Sequence, residues 1–174
     1  WQDNRQLKIL CGGVSSGEEA YSVAFLAKFL MEADFEITGI DLSPAAIERA
    51  KEGIYHQSLV DRAPHIYQEL MSQFLEKKGG RHKDKYQVSE EIKKHVRFKA
   101  SNVFSMPLDN YDIIFFRNIL IYFNDEDKRQ VLNRLLGHLN TNGLFFIGGG
   151  EVFPYIPEVT EKLEGSSILR KKTQ

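Results

Sequence analysis

The segment Tyr111-Asp112-Ile113-Ile114-Phe115-Phe116-Arg117 is apolar almost throughout and rich in aromatic and β-branched residues. A strand with one face in water alternates polar and apolar residues, so a run of this kind belongs in the middle of a sheet covered on both sides. Covering both sides takes helices above and below, and the crossovers of a parallel sheet supply them. The short runs 7–11, 35–41, 96–100 and 144–148 fit the same frame as further strands. Between them lie amphipathic stretches. Tyr21, Val23, Ala24, Leu26, Ala27, Leu30 and Met31 recur at helical spacing, predicting a helix over 18–32. Ser43-Pro44 offers an N-cap and a first helical position for a helix to about Lys51. Asp125 is expected to cap a helix to about Leu139, with Asn142-Gly143 ending it, and Ser167–Lys171 is expected to add an edge strand. The fold class is therefore α/β, a mostly parallel central sheet flanked by helices.

After Gly53 this rhythm breaks, and the next convincing strand begins only at Val96. An insertion over about 54–95 is predicted, with 64–75 helical, the basic run 77–85 a solvated turn, and Tyr86-Gln87-Val88 a short strand. The basic run reads either as a surface loop or as a docking element.

With 174 residues, the chain suits one domain, since domains most often run about 100–150 residues. Its 23 basic and 24 acidic residues nearly cancel, which gives no general electrostatic reason to bind nucleic acid or an anionic membrane. No apolar run approaches the roughly 18–20 residues that span a bilayer, so membrane insertion is not expected. Cys11 is the only cysteine, which excludes an internal disulfide and makes the cytoplasm the expected compartment. His56, His65, His82, His95 and His138 are scattered without ligand spacing, and no metal is expected. The chain starts at Trp1 rather than Met, and further upstream sequence is expected.

In open α/β sheets the ligand crevice lies beyond the carboxyl ends of the strands. That rule selects 12–19, Asp41, 101–103, Arg117-Asn118 with Tyr122, and 148–151. Asp41 ends the second strand, where a carboxylate can accept hydrogen bonds from both hydroxyls of a ribose, although an Asp there can equally cap the following turn. In the loop CGGVSSGEE, Gly12 and Gly17 resemble a dinucleotide loop, yet Glu18 and Glu19 follow directly. Acids in a first helical turn stabilise the macrodipole but repel a phosphate. They suit a cationic nucleoside. S-adenosylmethionine has a ribose, no phosphate, an ammonium and a sulfonium, so the loop points to methyl transfer rather than hydride transfer, with Gly12 and Gly17 letting the backbone approach the ligand.

Taken together, 15–22 (SSGEEAYS), 39–41 (GID), 48–55 (ERAKEGIY), 96–98 (VRF), 116–123 (FRNILIYF) and 143–148 (GLFFIG) resemble the CheR family of chemotaxis-receptor glutamate methyltransferases. The resemblance covers nearly the whole chain. It implies a Rossmann-like class I methyltransferase fold, a small antiparallel subdomain within the insertion, and a preceding helical domain that is absent here. It also implies that Glu18 or Glu19 and Asp41 meet the cofactor's amino end and ribose. Asn102 and Val103 would lie near the adenine, and Arg117 and Asn118 along the methionine side. Tyr122, with Arg117, would stand near the substrate carboxylate. Some family members grip a peptide at the receptor C-terminus with the inserted subdomain. Three departures stand out: Ala20 replaces a proline, Gly148-Gly149-Gly150-Glu151 replaces G-H-S-E, and the upstream arginine-bearing segment is missing.

The implied reaction needs no general base, because a glutamate side chain with a pKa of about 4.3 is already ionised at neutral pH. The enzyme's share is alignment and exclusion of water. Two further readings remain open: a regulatory module that binds cofactor or the cytoplasmic region of a receptor with little catalysis, and a methyltransferase for another substrate.

Overall fold

The computed structural model describes residues 5–31, 34–80, 83–151, 160–163 and 166–172. Trp1–Asn4, and Arg81 and His82 of the basic run, lie outside the described residues.

The chain runs β1 (Leu7–Gly12), α1 (Glu18–Leu30), β2 (Phe35–Asp41), α2 (Pro44–Glu52), β3 (Ile54–His56), α3 (Gln57–Asp61), α4 (His65–Ser72), β4 (Leu75–Lys77) and β5 (Lys85–Val88). It continues through α5 (Glu90–Lys93), β6 (Val96–Ala100), β7 (Tyr111–Phe116), α6 (Asp125–Gly137), β8 (Leu139–Ile147), β9 (Thr160–Lys162) and β10 (Ile168–Lys171). Seven strands form one sheet in the order β6-β2-β1-β7-β8-β10-β9. The first five are parallel, and β10 runs antiparallel to both β8 and β9.

Pleat alternation sends Ile9 and Cys11 of β1 to one side of the sheet and Leu10 to the other, and all three are buried. On the first side lies α1 with Tyr21, Ala24 and Phe25, and α2 with Ile47 and Ala50. On the second lies α6, through Val131, Leu132, Leu135 and Leu136. Each fully buried Leu, Ile or Phe contributes about 1.5–3 kcal/mol, so this two-sided burial is the main source of cohesion. As expected, Ser43 caps α2 by accepting from Ala46 N–H at 3.3 Å.

The insertion holds a second sheet, β3-β5-β4, antiparallel at both pairings. Its apolar side is continuous with the main core: Tyr55, Leu70, Phe74, Val88 and Ile92 pack in the cluster that contains α1, and the Phe25 and Phe74 rings stack at 5.6 Å. Tyr55 also donates from its hydroxyl to the Ser16 carbonyl at 2.8 Å, which ties the insertion to the loop after β1.

Several expectations are corrected. The side chain capping α6 is that of Asn124, which accepts from Asp127 N–H at 2.9 Å, while Asp125 opens the helix. Asn142-Gly143 does not end α6, which stops at Gly137; the pair lies inside β8, with Asn142 at φ 61°. The β7–β8 register shifts there between Tyr111 and Ile113, so the turn-forming pair serves an irregularity in the strand. The helix expected over 64–75 ends at Ser72, because Leu75 already pairs in β4. The C-terminal strand is internal rather than an edge, since β9 lies outside it.

Asp112 is the buried charge of this frame. It accepts from both terminal nitrogens of Arg5 at 2.8 and 2.5 Å, from Lys8 N–H at 3.0 Å and from the Asn140 amide at 2.6 Å. It thereby joins the leading segment, β1, β7 and β8. Burial raises its pKa, but these hydrogen bonds outweigh that effect and hold it below the usual carboxylate range. Its stabilisation is thus complete above the ordinary unfolded value of about 3.9 and is lost as pH falls through the depressed folded value. Asp112→Ala is expected to cost about 3 kcal/mol in denaturant unfolding at neutral pH. The difference from wild type should shrink on acidification; a difference that does not change with pH contradicts the ionised assignment.

Candidate functional site

Strand order reverses between β1 and β7, because the chain builds β2 and β6 to one side and then returns to build β7 and β8 on the other. Connections that leave the sheet on opposite faces open a crevice at that point. A cavity of about 710 Å³ lies there, within the range of about 300–1,000 Å³ usual for small-molecule sites. Glu18, Glu19, Asp41, Asn102, Val103, Arg117, Asn118 and Tyr122 all line it.

Gly12 and Gly17 do not line it. A Cβ on Gly12 would lie 2.5 Å from the Phe116 ring, and one on Gly17 would lie 3.0 Å from Ala50 Cβ and 3.1 Å from the Phe98 ring. Gly17 also takes the left-handed φ of 91° from which α1 starts. The glycines therefore pack the loop against the sheet and α2, and Gly13, Val14 and Ser15 between them form the wall.

Asp41 organises this wall. One carboxylate oxygen accepts from Ser15 N–H at 2.8 Å and the other from Ser43 N–H at 2.9 Å. An ionised carboxylate has about four acceptor positions, so both oxygens keep capacity for ligand hydroxyls. The bonds that cap the turn therefore leave Asp41 free acceptor capacity on the cavity side.

At the start of α1, Glu18 accepts from the Ser16 hydroxyl at 2.7 and 2.9 Å. Glu19 pairs with Arg117 Nη1 at 2.7 Å. Burial pushes the Glu19 pKa up, the Arg117 bond and charge partly offset this, and nearby Glu151 adds to the rise. This end of the cavity carries carboxylates at a helix N-terminus, an arrangement suited to a cation and hostile to a phosphate.

The opposite wall is the segment after β6. Asn102 accepts through its side-chain oxygen from Phe104 N–H at 2.9 Å, so it is a turn former as well as a lining residue. Arg134 of α6 donates from Nε to the Val103 carbonyl at 2.9 Å and from Nη2 to the Met106 carbonyl, clamping the segment from behind.

After β7, Asn118 takes a positive φ of 59°, and a 3-10 turn over Leu120–Tyr122 follows. The turn leaves the Tyr122 side of the mouth open to solvent, at 79% exposure, which excludes a packing role for this aromatic. Phe123 turns back inward, against Phe116 at 6.4 Å and edge-on to Phe104 at 5.3 Å. Phe104, Ile119 and Phe123 are lining residues that the strand-end rule did not select, although each sits directly beside a chosen position. Among the described residues no group of three or more His, Cys, Asp or Glu could hold a metal ion.

The family model for the CheR methyltransferase SAM binding domain matches residues 1–169. The chain belongs to that family. It is 32% identical over 157 residues to a chemotaxis protein methyltransferase of Borreliella burgdorferi, covering 86% of this chain and 53% of that protein. It is 33% identical over 153 residues to one of Listeria innocua, covering 86% and 56%. The chain thus spans about half the length of the curated relatives it matches. In fold it is similar to PKMT2 of Rickettsia typhi, solved in complex with AdoHcy, with a TM-score of 0.50, 19% identity, and coverage of 81% of this chain and 20% of the other.

The cofactor of this CheR domain is S-adenosylmethionine, and the cavity fits it. Asp41 offers acceptors for a ribose at one strand end, and the Glu18-Glu19 pair offers negative charge for an ammonium at another. Asp41→Ala is expected to weaken S-adenosylmethionine binding about 10- to 100-fold by calorimetry, the loss of hydrogen bonds to a charged acceptor. Unchanged affinity would remove Asp41 from the ribose site.

Proposed function

We propose that this chain is the catalytic domain of a protein-glutamate O-methyltransferase that esterifies side-chain carboxylates in the cytoplasmic region of methyl-accepting chemotaxis receptors. The observation that carries this reading is a cavity in which a cation-seeking acidic end meets Arg117 and an exposed Tyr122 at the mouth.

Asp41 holds the ribose hydroxyls, Asn102 and Val103 flank the adenine, and Glu18 or Glu19 takes the ammonium. Arg117 and Asn118 line the methionine side. Gly12 and Gly17 act from outside the cavity, by keeping the loop close to the sheet. When bound, S-adenosylmethionine supplies a methyl group on a sulfonium, which departs with the C–S electron pair as the neutral thioether. The new bond is between a carboxylate oxygen of the receptor glutamate and that methyl carbon. No proton moves, which agrees with a cavity whose lining among the described residues includes no histidine or cysteine.

Arg117 and Tyr122 orient the incoming carboxylate. Glu19 tempers Arg117 in this role, since a guanidinium already paired at 2.7 Å binds a second carboxylate less tightly and leaves it more nucleophilic. The phenol of Tyr122 donates one hydrogen bond, which fixes direction without neutralising charge.

A second reading rests on Gly149 and Gly150, where the family pattern has His and Ser: a CheR-like module that binds cofactor or receptor and regulates without efficient transfer. Incorporation of base-labile methyl groups into receptor membranes by the full-length protein decides between them, and absence of incorporation favours the module. Under the enzyme reading, Tyr122→Phe is expected to lower kcat about tenfold with cofactor affinity unchanged, the cost of one orienting hydrogen bond.

The raised pKa of Glu19 gives a pH dependence. Only the ionised form holds an ammonium, and protonation begins at higher pH than for an ordinary carboxylate, so cofactor affinity is expected to fall as the pH is lowered from neutral, with the fall setting in above the ordinary glutamate value of about 4.3. Glu19→Gln should bind weakly at both ends and flatten the profile, as read by titration calorimetry. A profile of wild-type steepness in Glu19→Gln assigns the dependence elsewhere.

A further inference from the structure

Glu151 has no part in the chemistry above, yet its carboxylate is the meeting point of two strand ends. Oε2 accepts from Asn118 N–H at 2.8 Å and from Gly148 N–H at 2.8 Å, and Oε1 accepts from Leu120 N–H at 2.7 Å. Two of these amides follow β7 and one follows β8. The turn is closed by its own backbone, with Glu151 N–H donating to the Gly148 carbonyl at 3.0 Å. Room for the carboxylate comes from the missing side chain at Gly148, where a Cβ would lie 2.6 Å from Glu151 Oε2 and 2.5 Å from Asn118 Oδ1.

The segment held in this way is the one that carries Arg117 and Tyr122. Asn118 sits at φ 59°, the left-handed conformation that asparagine tolerates better than most residues and that turns the chain sharply after β7. Ile119, between the two tethered amides, packs over the glycine loop: its Cδ1 stands 3.7 Å from where a Gly12 Cβ would be and 2.6 Å from a Gly13 Cβ. Without the carboxylate, three amides at the edge of the cavity lose their acceptor together, and the backbone that carries Arg117 away from β7 loses a shared anchor.

We propose that Glu151 is a positioning residue for this site. By holding the amides of Asn118, Leu120 and Gly148, it sets Arg117 against Glu19 and Tyr122 at the mouth, and so sets cofactor affinity. Its negative charge matters as well as its shape: a glutamine supplies one acceptor oxygen and must turn an N–H group toward an N–H it cannot satisfy. The effect on methyl transfer rests on the proposed function, whereas the effect on cofactor binding does not.

The test is calorimetry with S-adenosylmethionine on the wild-type chain and on Glu151→Gln, Glu151→Ala and Gly148→Ala, with thermal unfolding of each. Glu151→Gln is expected to bind the cofactor about tenfold or more weakly, a loss larger than any it shows in unfolding stability, because the variant keeps the side-chain volume and one acceptor oxygen for the partly buried amides of Leu120 and Gly148. Gly148→Ala should reproduce the defect by pressing a methyl group into the carboxylate's place. The double variant Glu151→Gln/Glu19→Gln should lose less than the two single losses combined, since both act through the Arg117–Glu19 pair. Glu151→Gln conserves volume and decides the matter whether or not Glu151→Ala folds. Wild-type affinity in Glu151→Gln, a loss matched by an equal loss of stability, or full additivity in the double variant each overturns the proposal. Failure of receptor methylation would leave these binding results standing.

Discussion

The reversal of strand order between β1 and β7 is the constraint on which the rest depends. Because α1 and α2 pack on one side of the sheet and α6 on the other, no helix can close over the point where the two halves part. Side chains from the ends of β1, β2, β6 and β7 are forced into one cavity, although they are far apart in sequence. Burial of Leu10, Ile37, Ile114 and Phe145 on both faces makes that arrangement stiff, so the strand ends serve as fixed anchor points.

What hangs from those anchors is irregular backbone, and three charged side chains hold it. Asp41 gathers the amides of Ser15 and Ser43, Glu151 gathers three amides beyond β7 and β8, and Arg134 takes two carbonyls beyond β6. Acids satisfy N–H groups and a base satisfies C=O groups, as hydrogen-bond complementarity demands. The same carboxylates tilt the potential at one end of the cavity negative, so the devices that order the loops also favour a cationic ligand.

Much of this was legible in the sequence. The apolar runs located β1 and β7 because burial on both faces leaves little room for alternation, the edge strand β6 showed instead through alternation of buried Val96 and Phe98 with exposed Arg97 and Lys99, and Ser43-Pro44 marked a helix start through local chemistry alone. The lining residues Glu18, Asp41, Asn102, Arg117 and Tyr122 were legible from the rule that ligands sit beyond strand ends. Gly12 and Gly17 fall outside the cavity wall, which the sequence did not reveal because a glycine that admits a ligand and a glycine that admits a neighbouring side chain look alike in one dimension; Phe116, Ala50 and Phe98, which they pack against, are all distant in sequence. Asn142-Gly143 failed as a helix stop for a related reason, since a turn-forming pair suits a strand irregularity equally well. The roles of Glu151 and Arg134 could not be read at all, because their partners are backbone groups that carry no residue identity.

The hydroxyl of Tyr55 reaches the carbonyl of Ser16, and its ring meets Tyr21 edge-on at 6.2 Å beneath the loop that follows β1. The three-stranded insertion is therefore no detachable module. A chimaera that imported this element from a relative would have to bring a tyrosine to the same place, or the glycine loop would lose one of its supports. A force applied to the insertion from outside reaches the loop beside the cavity directly through this phenol, in addition to the shared core behind it.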